Sequence, residues 1–138
     1  IIYEIYSIGK TLQEHVNINS LTTNGSFSSI PFCTQMLADI FNNVIQDHWP
    51  EHLEKLYKFW QTVLLRDHTY FGSPFVPHAG LPVNIEHFNR WIALFYETLD
   101  ENFEGQVTDE AKWRAAKMAE MFHYKIEFYR NSSEKPIL

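Results

Sequence analysis

Between Asp67 and Val83 the chain carries Gly72, Pro74, Pro77, Gly80 and Pro82. Each proline fixes its own φ and lacks a backbone N–H, so no long helix can pass through this stretch. The patterns on both sides are helical. The chain must therefore fold as helices joined through a stiff central loop, with room in it for a single helical turn. Loops this long are uncommon inside a domain and often carry function.

Before the loop, Leu53, Leu56, Tyr57, Trp60, Val63 and Leu64 recur at spacings of three and four, which marks one face of a helix. Pro50 suits the first turn, where its missing N–H leaves no bond unmade, and Glu51 suits the positive end. The helix is expected from about Pro50 to Arg66. Residues 35–44 are expected to form a short helix or two. After the loop, Asn84 is an N-cap residue type. Phe88, Trp91, Ile92, Phe95, Tyr96 and Leu99 mark the buried face of a helix from about Ile85 to Phe103. Gly105 punctuates its end. Thr108 is the expected cap of a last helix reaching about Tyr129, with Trp113, Met121, Phe122, Ile126 and Tyr129 on its apolar side. The tail, residues 131–138, is expected to fray.

The 138 residues suit one domain with one sizeable core. With 11 Phe, 7 Tyr and 4 Trp, many large rings must cover each other or a bulky apolar ligand. A net charge of -6 argues against a nucleic-acid partner, which needs clustered Lys and Arg. The one cysteine, Cys33, cannot form an internal disulfide. No apolar run is long enough to span a membrane, and no signal peptide is apparent, so a cytoplasmic protein is expected. On that ground the glycosylation tripeptides at Asn24 and Asn131 read as chance matches.

Seven histidines raise the question of a metal. His78 lies in the central loop, as Pro77-His78-Ala79-Gly80-Leu81-Pro82, among residues that stiffen the backbone. A neutral imidazole there can ligate a metal, or it can be an ordinary surface histidine. His52 shares a helix face with Leu56, so it can border a cavity or simply meet water. His48, His68, His87 and His123 have no such setting, and His15 lies where no pattern can be read. No zinc-type spacing, phosphate-binding glycine loop or nucleophile elbow occurs. Trp60 and the face of Phe88, Trp91 and Phe95 read as core.

A longer pattern goes further. Ile40-Phe41-Asn42-Asn43-Val44-Ile45, Trp49-Pro50-Glu51-His52-Leu53, Phe59-Trp60, Tyr70-Phe71-Gly72, Pro74-Phe75, His78, Leu81-Pro82 and His87-Phe88-Asn89-Arg90-Trp91 stand in order. Together with Trp113-Arg114-Ala115-Ala116-Lys117-Met118-Ala119, this series resembles the group III truncated haemoglobins over roughly residues 35–130. The resemblance implies an all-α, shortened globin fold, a two-over-two helical sandwich, holding haem b. His78 matches the proximal iron ligand. His52 matches the distal-helix histidine, with Leu56 one turn on. Trp91 matches a distal-pocket tryptophan whose indole N–H can donate to a ligand. Trp60, Phe88 and Phe95 would line the walls, Tyr70 and Phe71 would lie near the haem edge, and Arg90 would meet a propionate.

The match stops near Gln35. The family carries a Phe-Tyr pair in the preceding helix, whereas Phe27 and Ser28 stand at those places, and Ser28 is too short to replace a phenol. Residues 1–34 are therefore set apart as an atypical segment, which divergence or a changed reading frame would each explain. The expected function is binding of oxygen or another diatomic ligand, in storage or transport. Peroxide or nitric-oxide chemistry at the same iron, with a reductase as partner, is the enzymatic alternative, and a cofactor-free helical interaction module is the third.

Overall fold

In a computed structural model of the chain, residues 32–132 are described, with side chains from residue 36 onward. The expectations placed on residues 1–31, including His15, Asn24, Phe27 and Ser28, lie outside the described residues. So does the end of the tail from Ser133. Every regular element among the described residues is helical. In chain order these are α1 (Phe32–Ile45), α2 (Trp49–Leu65), a 3-10 turn (Val76–His78), α3 (Ile85–Asn102) and α4 (Gln106–Asn131). Residues 35–44 thus belong to one helix rather than two.

The helix ends follow from local chemistry. Pro50 stands in the first turn of α2, and Arg66 closes that helix in the left-handed region at φ 61°. Asn84 caps α3, its side chain accepting from the backbone N–H groups of Glu86 and His87. The start of α4 differs from expectation. Gly105 takes φ 103°, which an L side chain rarely adopts, and the helix begins at Gln106. Thr108 is therefore inside the first turn, not its cap, and it is buried.

The core has two parts that share α4. In the first, Trp60 and Leu64 of α2, Phe95 and Leu99 of α3, and Ala111 and Ala115 of α4 pack together. In the second, Phe75, Leu81 and Val83 of the central loop pack on Phe122 and Ile126 of α4. Met118 touches both. The buried side of α4 is thus Ala111, Ala115, Ala119, Phe122 and Ile126. This corrects the expected face, because Trp113 and Met121 are exposed. The heavy apolar residues mislead here. Small side chains are what allow two helix backbones to come close, and alanine leaves little trace in an apolar pattern.

The central loop is held at both ends. The Thr62 hydroxyl donates to Asp67 O (2.8 Å) and accepts from the backbone N–H groups of Thr69 (3.1 Å) and Tyr70 (2.9 Å). At the other end the Arg130 guanidinium donates to Leu81 O at 2.9 Å, across 49 residues of sequence.

Ala115 is fully buried between α3 and α4, so a larger side chain there must overpack the core. Ala115→Leu is expected to lower stability by about 1–3 kcal/mol. Urea unfolding followed by circular dichroism measures this, and an unchanged midpoint would count against the close approach of the two helices.

Candidate functional site

The two parts of the core leave a cavity between them, bounded by α1, α2, the loop, α3 and α4. Its volume is about 240 Å³. A water molecule occupies roughly 30 Å³ of liquid, and native interiors rarely leave voids of this size over apolar walls. The walls are mostly apolar: Leu37 and Phe41 from α1, Leu56, Phe59 and Trp60 from α2, and Met118, Ala119 and Phe122 from α4. The polar groups on the wall are therefore few, chiefly His52, Lys55, Tyr70, His78, His87 and the indole of Trp91.

His78 ends the 3-10 turn Val76–His78, in which Pro77 is the second residue. Its Nδ1 lies 2.7 Å from Pro74 O. A carbonyl oxygen only accepts, so Nδ1 must carry the hydrogen and donate it. A neutral ring then has its lone pair on Nε2. Phe122 packs on the ring, with centroids 5.0 Å apart, and Phe122 itself meets Phe75 at 5.4 Å. The second core cluster thus fixes this imidazole in orientation as well as position.

His52 is half-buried on α2, edge-on to Trp49 at 5.9 Å. Leu56 follows one turn later on the same wall. Trp91 stacks on Phe95 at 5.1 Å, and Phe95 stacks on Trp60 at 5.5 Å. Phe95 has no exposed surface and does not line the cavity. It is the spacer that holds the two cavity-lining tryptophans. Tyr70 lines the cavity and meets Phe59 edge-on at 5.5 Å. Burial raises its hydroxyl above the usual tyrosine range.

Among the residues singled out from sequence, His52, Leu56, Trp60, Tyr70, His78, Phe88 and Trp91 meet at this cavity. Phe71 does not. It is 86% exposed, because it follows Tyr70 where the backbone turns that ring inward. Arg90 is half-buried and off the cavity wall, and its Nε is buried without a partner among the described residues. Sequence reasoning missed Lys55 and His87. Lys55 lies three residues after His52 and four before Phe59 on α2, so it shares their face. His87 was passed over because it reads as a surface position near a helix start.

No group of three or more His, Cys, Asp or Glu that could hold a bare metal ion occurs among the described residues. The imidazole of His78, whose neutral ring keeps its lone pair on Nε2, set in a large apolar cavity, suits instead a metal carried by an apolar prosthetic group such as haem. All-helical packing around such a cavity is consistent with a globin-like fold. A comparison with curated proteins agrees. The chain is 33% identical over 97 residues to the group 3 truncated hemoglobin ctb of Campylobacter jejuni, a match covering 67% of this chain and 76% of that relative. The chain belongs to the group III truncated haemoglobins. No family model matches it. No solved structure matches it either. Membership in the globin family implies haem. No helix among the described residues is long and apolar enough to cross a membrane.

Tyr70 gives a test by pH. Its hydroxyl loses a proton above the usual value in the folded chain and near pH 10 in the unfolded chain. The unfolded state therefore ionises first as pH rises. The stabilisation is complete below about pH 10 and is lost as pH climbs through the folded value. Tyr70→Phe is expected to remove this part of the alkaline decline. Denaturation midpoints between pH 8 and 11.5 measure it, and identical slopes for the two proteins would refute the burial of the hydroxyl.

Proposed function

We propose that this protein binds haem b in the cavity, with His78 as the proximal ligand, and that its activity is reversible binding of oxygen or another diatomic molecule. The observation that carries the reading is the hydrogen bond from His78 Nδ1 to Pro74 O, made on the wall of a large apolar cavity. It leaves Nε2 as the ligating atom and, by withdrawing Nδ1–H toward a carbonyl, makes the imidazole a better electron donor. Bound haem supplies the iron at which a diatomic ligand attaches.

The chain's own residues divide the remaining work. Trp60, Phe88, Phe122 and Met118 would exclude water and give the haem an apolar surround. His52 and Trp91 bring polar N–H groups to a wall that is otherwise apolar, with Leu56 beside them. Lys55 is the cation on the wall suited to a propionate. Arg90 stands off the cavity wall, so the propionate role expected of it passes to Lys55. Phe71 and Phe95 are left out of the pocket, the first on grounds of exposure and the second as a spacer.

The polar groups His52 and Trp91 also favour the second reading, peroxide or nitric-oxide chemistry at the same iron. Turnover with a reductant and either substrate separates it from simple binding. The cofactor-free module has less support, because it leaves the cavity unexplained.

The test is an absorption spectrum after expression with haem. Wild type is expected to show a Soret band. His78→Ala is expected to fold but to lose the five-coordinate ferrous spectrum, and added imidazole is expected to restore it. A band that His78→Ala leaves unaltered would sink the assignment. Trp91→Phe removes one donor, so oxygen should dissociate about two- to tenfold faster, the value of one neutral hydrogen bond. Stopped-flow dissociation measures this.

A further inference from the structure

We infer that His87 is a further cofactor-binding residue, which donates from Nε2 to a carboxylate at the edge of the haem. This assignment rests on the haem reading above. It starts from an arrangement at the head of α3. The Asn84 side chain accepts from Glu86 N (3.0 Å) and His87 N (3.3 Å). In return His87 Nδ1 accepts from Asn84 N at 3.2 Å. Nδ1 also lies 2.7 Å from Asn84 Oδ1, a contact that is favourable only when Nδ1 carries a hydrogen. Where Nδ1 accepts from Asn84 N, as the reciprocal cap has it, a neutral ring carries its hydrogen on Nε2. Where Nδ1 donates to Oδ1, the imidazolium carries a second hydrogen on Nε2. In the capping tautomer and in the imidazolium alike, the nitrogen not engaged by the cap is a donor, and a carboxylate beside Nε2 favours both over the remaining neutral form.

The ring is half-buried and forms part of the cavity wall, while Asn84 beside it is exposed. His87 thus stands where the cavity meets solvent. His78 and His87 are complementary in this respect. Pro74 O sets a lone pair on Nε2 of a neutral His78, whereas the capping tautomer and the imidazolium of His87 both put a hydrogen on Nε2. The first suits a metal and the second an anion. An ionised carboxylate entering this cavity gives up hydration and needs a donor, and it is least costly at a rim that keeps some water. The carboxylates of haem are the anionic groups the proposed ligand brings.

Two variants separate recognition from structure. His87→Glu keeps an acceptor for Asn84 N, since glutamate at this helical position is a usual capping partner, but replaces the donor with a like charge. His87→Gln keeps the acceptor and stays neutral. The full chain is reconstituted with haem or with haem dimethyl ester, which lacks the charged carboxylates. Loss to excess apomyoglobin is then followed by absorbance. With haem, His87→Glu is expected to lose cofactor roughly tenfold faster than wild type or more, as suits a charge-assisted bond, and His87→Gln by a smaller factor. With the ester, all three should release cofactor at one rate. Equal acceleration with haem and with the ester would overturn the assignment and leave His87 a packing residue. If His87→Glu fails to fold, His87→Gln decides the same comparison. Failure of wild type to bind either form would instead overturn the haem reading, and this assignment with it.

Discussion

The close approach of α4 to the rest of the molecule rests on Ala111, Ala115 and Ala119, whose side chains are too small to hold a neighbouring helix away. Everything at the cavity depends on this. The alanines admit Phe95 and Leu99 from α3 and Trp60 and Leu64 from α2 into one cluster. The same helix, one and two turns further on, offers Phe122 and Ile126 to the central loop. α4 therefore sets the distance between the helix pair that carries Trp91 and Trp60 and the loop that carries His78. The cavity is the space this spacing leaves, and Met118, Ala119 and Phe122 form its wall on that side.

The loop shows how a segment without regular structure can still be rigid. Its prolines remove backbone freedom before any contact is made. The Thr62 hydroxyl then serves three backbone groups at one end, and Arg130 holds Leu81 O at the other. Phe75, Leu81 and Val83 bury the middle. An imidazole mounted on such a loop is ordered without being in a helix. That matters for a ligand that must meet a metal at one distance and one angle. The stack Trp91–Phe95–Trp60 plays the same part, since a ring that touches nothing in the cavity fixes two that do.

Much of this was legible in the residues. The faces of α2 and α3, the break between residues 67 and 83 and the cap at Asn84 all follow from period and turn chemistry. Seven of the ten residues picked for the site come together at one cavity. The exceptions have physical causes. Phe71 and Tyr70 are both large and apolar in part, but consecutive residues in an extended segment point to opposite sides, and only one can face inward. Phe95 lies on the right face of α3, yet behind the wall. The outward Trp113 and Met121 outweighed the alanines in the apolar pattern of α4. His87 looked like a solvent-facing residue at a helix start, because a capping role and a cavity role make no different mark on spacing.

The sequence by itself determined which segments are helices, where they must stop, and that His78 sits in a loop unable to become helical. These are local consequences of side-chain period, proline geometry and capping, and they need no knowledge of what packs where. Only the tertiary structure decided which faces meet, that α4 turns its alanines rather than its tryptophan to the core, and that His52, His78, His87 and Trp91 border one cavity. It also decided the state of the key imidazole. The carbonyl of Pro74 comes within 2.7 Å of His78 Nδ1 only because the loop is folded onto Phe122 and Ile126. The reason is that depth and distance belong to the packing of elements far apart in the chain, whereas period and turn chemistry belong to neighbours along it.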